Sequence, residues 1–514
     1  MIESLPPGLV LIAGALLVPF LRGRALQAYL LALPVVGFWQ LLQIPDGHTV
    51  TLELFDQTLT ILRNDRLARV WGYIFHIAAF LSLLFAVHVK DKVQHVSALM
   101  YAGAALGAVF AGDLITLFVF WEGTAITSVF LIWAVRTERS YRAGMRYLTI
   151  QVLSGVILLA GVVVHAHETH SIAFDKLLGD SGTIEDLGVW LILIGFGIKA
   201  AFPFLHAWLQ DAYPEASPTG TVFLATFTTK LAIYALARGF PGFELLIPIG
   251  AAMTAFPVFF AVIENDLRRV LSFSLNNQLG FMVVGVGIGT EMAINGAAAH
   301  AFAHILYKAL LFMSMGAVLH RVGTVKASEL GGLWKSMPWT AGFCIVGAMS
   351  ISAFPLFSGF VTKSMVLGEA AHHHYLLAYL VLVFASAGVL EHSGIKVPYF
   401  AFFAHDSGKR PKEAPFNMLL AMGITAALCI GIGCYPAPLY AILPYDTGTY
   451  TAYDATHVVT QLQLLLFAGL AFVFLQKFGL YPAEMRSTVL NLDWIYRRPL
   501  PVFARWVWWF GGHA

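Results

Sequence analysis

The sequence predicts an all-α polytopic membrane protein with about 14–15 transmembrane helices. Composition comes first: of 514 residues, 58% are hydrophobic and 12% charged, roughly half the charge of an ordinary soluble domain. Such a chain cannot cover a water-facing surface. Second, apolar runs long enough to span about 30 Å of hydrocarbon as helix recur along nearly its whole length. Third, two of these runs, "GIKAAFPFLHAWL" and "ISAFPLFSGFVTK", carry a proline and a lysine together.

Taken in order, the spans fall near residues 8–22, 26–45, 68–89, 95–111, 113–135, 145–166, 187–208, 217–239, 243–264, 269–290, 293–319, 339–368, 374–395, 416–438 and 457–477. The first run has Glu3 before it and neither a basic leader nor a small-residue cleavage site, so retention of this N-terminus is expected. Arg136, Arg139, Arg142 and Arg146, then Arg268 and Arg269, then Lys396, Lys409, Arg410 and Lys412 fall in alternate loops. The intervening "HAHETHSIAFDKLLGDSGTIEDLG" and "YDTGTYTAYDATH" are acidic. Basic loops face the cytoplasm. The expected placement is therefore multi-pass in the cell inner (plasma) membrane, N-terminus outside and C-terminus cytoplasmic. The aromatic and basic tail "RRPLPVFARWVWWFGG" is expected to form an amphipathic helix on the interface, against lipid or a partner.

A formal net charge of +2 gives no reason to expect a nucleic-acid partner. Cys344, Cys429 and Cys434 form no CxxC pair, and no GxGxxG, GxxxxGK[ST] or HExxH occurs. The expectation is no ATP hydrolysis, no cofactor held by this chain and no metal site.

Ionisable residues inside apolar spans are costly and point to function. Glu122 lies within "DLITLFVFWEGTAITSVFLIW"; it is either a hydrogen-bonded acid joining two helices or a charge on a path. Lys199 stands four residues before Pro203, and a proline frees a carbonyl that only protein or water can satisfy. Lys230, well inside the next span, either snorkels or faces inward. In "HAFAHILYKALLF", His300, His304 and Lys308 recur every four residues and project from one helix face, about 6 Å apart along the axis. That stripe suits a proton relay, whereas for zinc the lysine opposes a cation and no carboxylate or cysteine completes the shell. Lys363 follows Pro355 by eight residues. His372 to His374 read as solvated loop residues.

The word AFP also occurs at Ala255–Pro257 without a lysine, so proline plus intramembrane lysine is the sharper signature. Helix breaks in corresponding positions of two halves point to inverted repeats. The expected organisation is N-terminal helices over 1–94, a first five-helix repeat over 95–239, a second, inverted one over 243–395, and C-terminal helices with the tail over 396–514. Each repeat is expected to contain one discontinuous helix.

The motifs "FVFWEGTAITSVFLI", "GIKAAFPFLHAWLQDAYPEASPT", "ENDLRRVLSFSLNNQLGFM", "HAFAHILYKALLFMSMGAV" and "FPLFSGFVTKSMVL" jointly resemble the antiporter-like, proton-translocating subunits of respiratory complex I, membrane-bound hydrogenases and Mrp-type cation/proton antiporters. "TTKLAIYALARG" and "HSGIKVPYFAFF" are most similar to the D-type subunit of Mrp antiporters; the family's "WLPDA" and "TPVSA" words are "WLQDA" and "SPTGT" here, departing at Gln210 and over Thr219 to Thr221. The resemblance implies a mid-membrane path ordered Glu122, Lys199, Lys230, then His300, His304 and Lys308, then Lys363. It also implies other membrane subunits as partners and protons exchanged for a cation such as Na⁺. The alternative is the pump module of a redox complex, with no enzyme chemistry in this chain itself.

Overall fold

A computed structural model describes residues 4–54, 57–179, 181–481, 489, 494 and 498–511. Its helices in chain order are α1 (Pro7–Ala15), α2 (Gly23–Gln43), α3 (Arg66–Ala86), α4 (Lys92–Val109), α5 (Leu114–Trp133), α6 (Glu138–Thr169), α7 (Leu187–Ala200), α8 (Ala207–Ala212), α9 (Gly220–Thr226), α10 (Thr228–Gly239), α11 (Leu246–Ile263) and α12 (Leu267–Ile288). They continue with α13 (Glu291–Val322), α14 (Pro338–Ile351), α15 (Ser358–His372), α16 (Leu376–Val389), α17 (Lys396–Pro398), α18 (Phe416–Cys434), α19 (Ala437–Ala441), α20 (Ala455–Lys477) and α21 (Pro499–Gly511). Among the described residues, 11 helical segments are long and apolar enough to cross a membrane, and Pro7–Phe20, Leu187–Ala200 and Pro338–Ile351 are shorter apolar helices. The chain is a polytopic helical membrane protein.

Aspartates start many of these helices. The side chains of Asp65, Asp113, Asp186 and Asp454 accept from the backbone N–H three residues on, satisfying donors that the first turn leaves free. α9, α10, α12 and α13 are apolar and buried on nearly every side, so they form the centre of the bundle. α2, α6, α11 and α20 keep broad exposed faces, as lipid-facing helices do.

One departure from an all-helical reading is a hairpin, β1 (Thr49–Leu54) and β2 (Gln57–Arg63). Its role is to tie loops at one membrane face. Thr60 N–H donates to the Asp113 carboxylate at 2.8 Å, and Arg63 reaches Asp175 and the Phe174 carbonyl, both at 2.6 Å.

The backbone breaks matter most. In both "AFPF" (201–204) and "AFPL" (353–356), the first and fourth residues have positive φ: 64° and 68° at Ala201 and Phe204, 57° and 73° at Ala353 and Leu356. Non-glycine residues rarely adopt this conformation, so the surrounding packing must impose it. The third AFP lies inside the continuous helix α11, with Pro257 accommodated. Context, not the word, breaks the helix. A further break separates α9 from α10 at Phe227, without proline or glycine.

Two loop assignments need correction. Lys396 does not lie in a loop: it is buried within the apolar segment Leu376–Phe403, where π-helical turns over Leu390–Ile395 and Tyr399–Phe403 extend α16 through α17. Its ammonium donates to the Val262 and Glu264 carbonyls at the end of α11, at 2.5 and 2.7 Å. Arg268 is likewise buried, in the first turn of α12, and donates to the Pro214 and Ala216 carbonyls at 3.0 and 2.9 Å and to the Thr221 hydroxyl. Both cations satisfy backbone carbonyls instead of marking a loop. Of the tail, Arg497 and Gly512 lie outside the described residues, while helix α21 exposes Leu500, Phe503, Trp506, Trp508 and Trp509.

Candidate functional site

The ionisable residues separate into two neighbourhoods. In the first, α5 carries Glu122 and α7 carries Lys199. The Lys199 ammonium donates to the Trp121 carbonyl at 2.7 Å and the Thr124 hydroxyl at 2.8 Å, with the Trp121 ring centroid 4.2 Å away. Lys199 also faces the Glu122 charge. Glu122 Oε1 is buried with no hydrogen-bond partner among the described residues, in the space beside Gly155 of α6. A buried carboxylate oxygen without a donor is costly unless a proton or water serves it. The site is therefore unlike a structural acid, which would be saturated.

In the second neighbourhood, α10, α13 and α15 bring together Lys230, His300, His304, Lys308 and Lys363. All are buried, and His304 faces Lys230, Lys308, His300 and Lys363. Lys230 turns back across the Phe227 break to donate to the Ala225 carbonyl at 2.5 Å. Lys363 does the equivalent at the second proline break, donating to the Ile351 carbonyl at 2.9 Å. Each ammonium satisfies a carbonyl that a continuous helix would have used internally. Lys199 differs, since it holds α5 and not its own break.

The histidines are wired differently from one another. His300 Nδ1 lies 3.0 Å from the Thr362 hydroxyl and Nε2 3.3 Å from the Tyr307 hydroxyl, and Tyr307 donates onward to Gln278 Oε1 at 3.1 Å. Gln278 in turn donates to Asn277 Oδ1 at 2.5 Å. His300 and His304 rings are 6.2 Å apart. The Phe281 ring centroid lies 6.0 Å from that of His300 and 5.0 Å from the Lys363 ammonium. Neither His304 ring nitrogen nor Lys308 Nζ has a partner among the described residues. This is a connected, incompletely satisfied polar interior; a purely structural network would be closed.

Several contributors escaped the sequence reading. Thr124, Gln278, Tyr307 and Thr362 are ordinary polar residues whose importance comes from facing the charges. His392, on the π-helical stretch, is fully buried, has its Nδ1 2.9 Å from the Ser393 hydroxyl, and faces Lys308, Lys363 and Lys396. A π-bulge frequently marks a functional position. The free signal for it was "EHS" near the end of an apolar run.

Known proteins are similar to this chain over most of its length. A family model described as NADH:quinone oxidoreductase/Mrp antiporter, TM, matches residues 111–388, which contain Glu122, Lys199, Lys230, His300, His304, Lys308 and Lys363. The D-type subunit of the Na⁺/H⁺ antiporter from Alkalihalophilus pseudofirmus is 29% identical over 468 residues, covering 85% of this chain and 94% of that protein. Among solved structures, a chain of the Mrp complex from a Dietzia species superposes with TM-score 0.76 at 22% identity, covering 92% of this chain and 98% of that one. A chain of respiratory complex I from Thermus thermophilus gives TM-score 0.76 at 18% identity, covering 90% and 100%. Broken helices, buried lysines and the matched segment lead to one assignment: this chain belongs to the NADH:quinone oxidoreductase/Mrp antiporter transmembrane family.

Proposed function

We propose that this chain is a proton-translocating subunit of a multisubunit cation/proton antiporter of Mrp type, in the position of the D-type subunit, and that protons move along Glu122, Lys199, Lys230, His300, His304, Lys308 and Lys363. The observation that carries the reading is the juxtaposition of Lys230, His300, His304, Lys308 and Lys363, all buried, between two helix breaks. Family membership supports it, as does the 29% identity to the D-type subunit of a Na⁺/H⁺ antiporter.

The mechanism is electrostatic. Unit charges about 4 Å apart interact by roughly 4 kcal/mol at an effective dielectric near 20, which is about three pKa units. A proton arriving at Glu122 removes the charge that Lys199 faces. Lys199, whose ammonium donates to the Trp121 carbonyl and the Thr124 hydroxyl, is then free to lose or pass its proton. The change in field reaches Lys230 and the central histidines, and Lys363 completes the transfer. The Tyr307 and Thr362 hydroxyls lie on either side of His300 and carry protons to and from its two nitrogens.

The two five-helix units, 95–239 and 243–395, are part of this reading. Their support is the shared backbone signature of "AFPF" and "AFPL", with the lysine before one break and after the other. The N-terminus is placed outside and the C-terminus in the cytoplasm of the plasma membrane, and other membrane subunits complete the transporter. A second reading, the pump module of a redox complex, draws on the equal TM-score to complex I. Copurifying iron–sulfur or flavin subunits would select it; small membrane partners would select the antiporter. The test of the path is Na⁺-dependent pH change in inverted vesicles containing the complex, for wild type, Glu122→Ala and Lys199→Ala. Transport lost in both correctly inserted variants supports the path, and undiminished transport overturns it.

A further inference from the structure

We propose that the cavity beside Lys363 is the aqueous mouth of the path, and that His457, which lines it next to Asp454, is the residue that hands protons between that mouth and the outside. This rests on the transport reading above. The cavity measures about 160 Å³ and is bounded by α15, α16 and α20. About 10–15 Å³ admits one water, so this space has room for several. Lys363, Ser364, Gly368, His457 and Gln461 all line it.

Each part of the cavity is tied to the break that Lys363 serves. Gln461 Nε2 donates to the Ser352 carbonyl at 3.0 Å, beside the Ile351 carbonyl that holds the Lys363 ammonium. The Ser364 hydroxyl accepts from Tyr450 at 2.8 Å. At Gly368 an added β-carbon would meet nothing nearer than His457 Nε2, 3.9 Å away, so the glycine leaves that nitrogen facing open space.

His457 is held for the task by its own helix start. Asp454 Oδ1 accepts from the His457 backbone N–H at 2.7 Å, and Oδ2 lies 2.8 Å from His457 Nδ1. The contact at Nδ1 is an ion-pair approach outside hydrogen-bond geometry, and Nε2 is the ring nitrogen that faces the open space beside Gly368. The other titratable groups lining the cavity or packed against His457 are Lys363, Tyr379 and Tyr450, and Tyr450 in turn faces Glu369, which accepts from Thr290. The opening shares a face with residues 373–375 and 444–454, and α18 runs from there to the basic 409–412 segment at the other face. In the orientation proposed above, that face is external.

The experiment uses the full complex with Cys344, Cys429 and Cys434 replaced by serine. In that background Ser364→Cys is treated with a membrane-impermeant methanethiosulfonate from either side, alone and with Gly368→Leu. We expect labelling from outside at least about tenfold faster than from inside, and protection by Gly368→Leu. In parallel, cation-dependent proton flux is measured for His457→Gln, Gly368→Leu and Glu122→Gln. His457→Gln is expected to lower flux at least about tenfold. Gly368→Leu is expected to lower flux without changing the titratable groups. Ser364→Cys unreactive from outside, or wild-type flux in His457→Gln, overturns the proposal. If Glu122→Gln also transports normally, the transport reading itself has failed, while the labelling pattern still decides whether the cavity opens outward.

Discussion

A β-carbon placed on Gly155 would collide with Glu122 Oε1. The glycine on α6 therefore provides the room that the α5 carboxylate occupies. Overpacking of this kind costs about 1–3 kcal/mol and here falls on the reacting group. We expect Gly155→Ala to insert and assemble but to lose flux by about tenfold or more, since roughly 1.4 kcal/mol is a factor of ten. Gly342→Ala, where an added β-carbon meets nothing within 4 Å, should match wild type. Cation-dependent pH change in vesicles compares the two.

Tyr307 joins His300 Nε2 to Gln278 Oε1 at 3.3 and 3.1 Å. Tyr307→Phe keeps the ring and removes the hydroxyl. The expected result is a fall in flux of about 10²-fold with unchanged protein level, because a positioned proton-transfer group contributes about that much. Thr362→Val, which removes the partner of Nδ1, should fall similarly. Full flux in both would exclude His300 from the path.

Arg268 has a structural role. Its guanidinium gathers the Pro214 and Ala216 carbonyls, 3.0 and 2.9 Å away, holding the segment between α8 and α9 onto α12. Charge-assisted hydrogen bonds contribute about 1.5–3 kcal/mol each. Arg268→Ala should therefore lower the melting temperature of the purified complex and its folded yield, while the surviving molecules keep most of their flux.

His88 sits outside the membrane spans, between α3 and α4. The Asn417 amide donates to its Nδ1 at 3.0 Å, which requires a neutral acceptor nitrogen. Burial, then the neighbouring His320, His95 and Arg321, hold its pKa down from 6.5 to about 4. Between those values the folded state binds fewer protons than the unfolded one. Stability from this group is thus complete above about pH 6.5 and declines as pH falls toward about 4. His88→Gln should flatten the melting temperature over that window; an unchanged slope would contradict the assignment.

The charges of the path were legible because each is an ionisable letter inside an apolar run, and the proline breaks because proline removes a donor. The Phe227 break was not, since "ATFTTK" carries neither proline nor glycine and only the Lys230 ammonium reveals it. Lys396 and Arg268 read as loop charges because sequence shows their distance from apolar cores, not the carbonyls waiting for them. The hairpin over 49–63 was hidden by its shortness, and Tyr307 by being an ordinary polar residue on an otherwise recognised helix. Sequence marks which residues are out of place in lipid; partnership between helices is visible only once they are packed.

Lys308 offers the most direct measurement. Its ammonium has no hydrogen-bond partner among the described residues, so replacing it breaks no bond that holds the fold. Yet it faces both Lys230 and Lys363, at the centre of the proposed route. Proton flux through the reconstituted complex should drop at least about tenfold in Lys308→Met, with normal assembly and melting temperature. Wild-type flux in that variant would show that protons do not pass along the buried line.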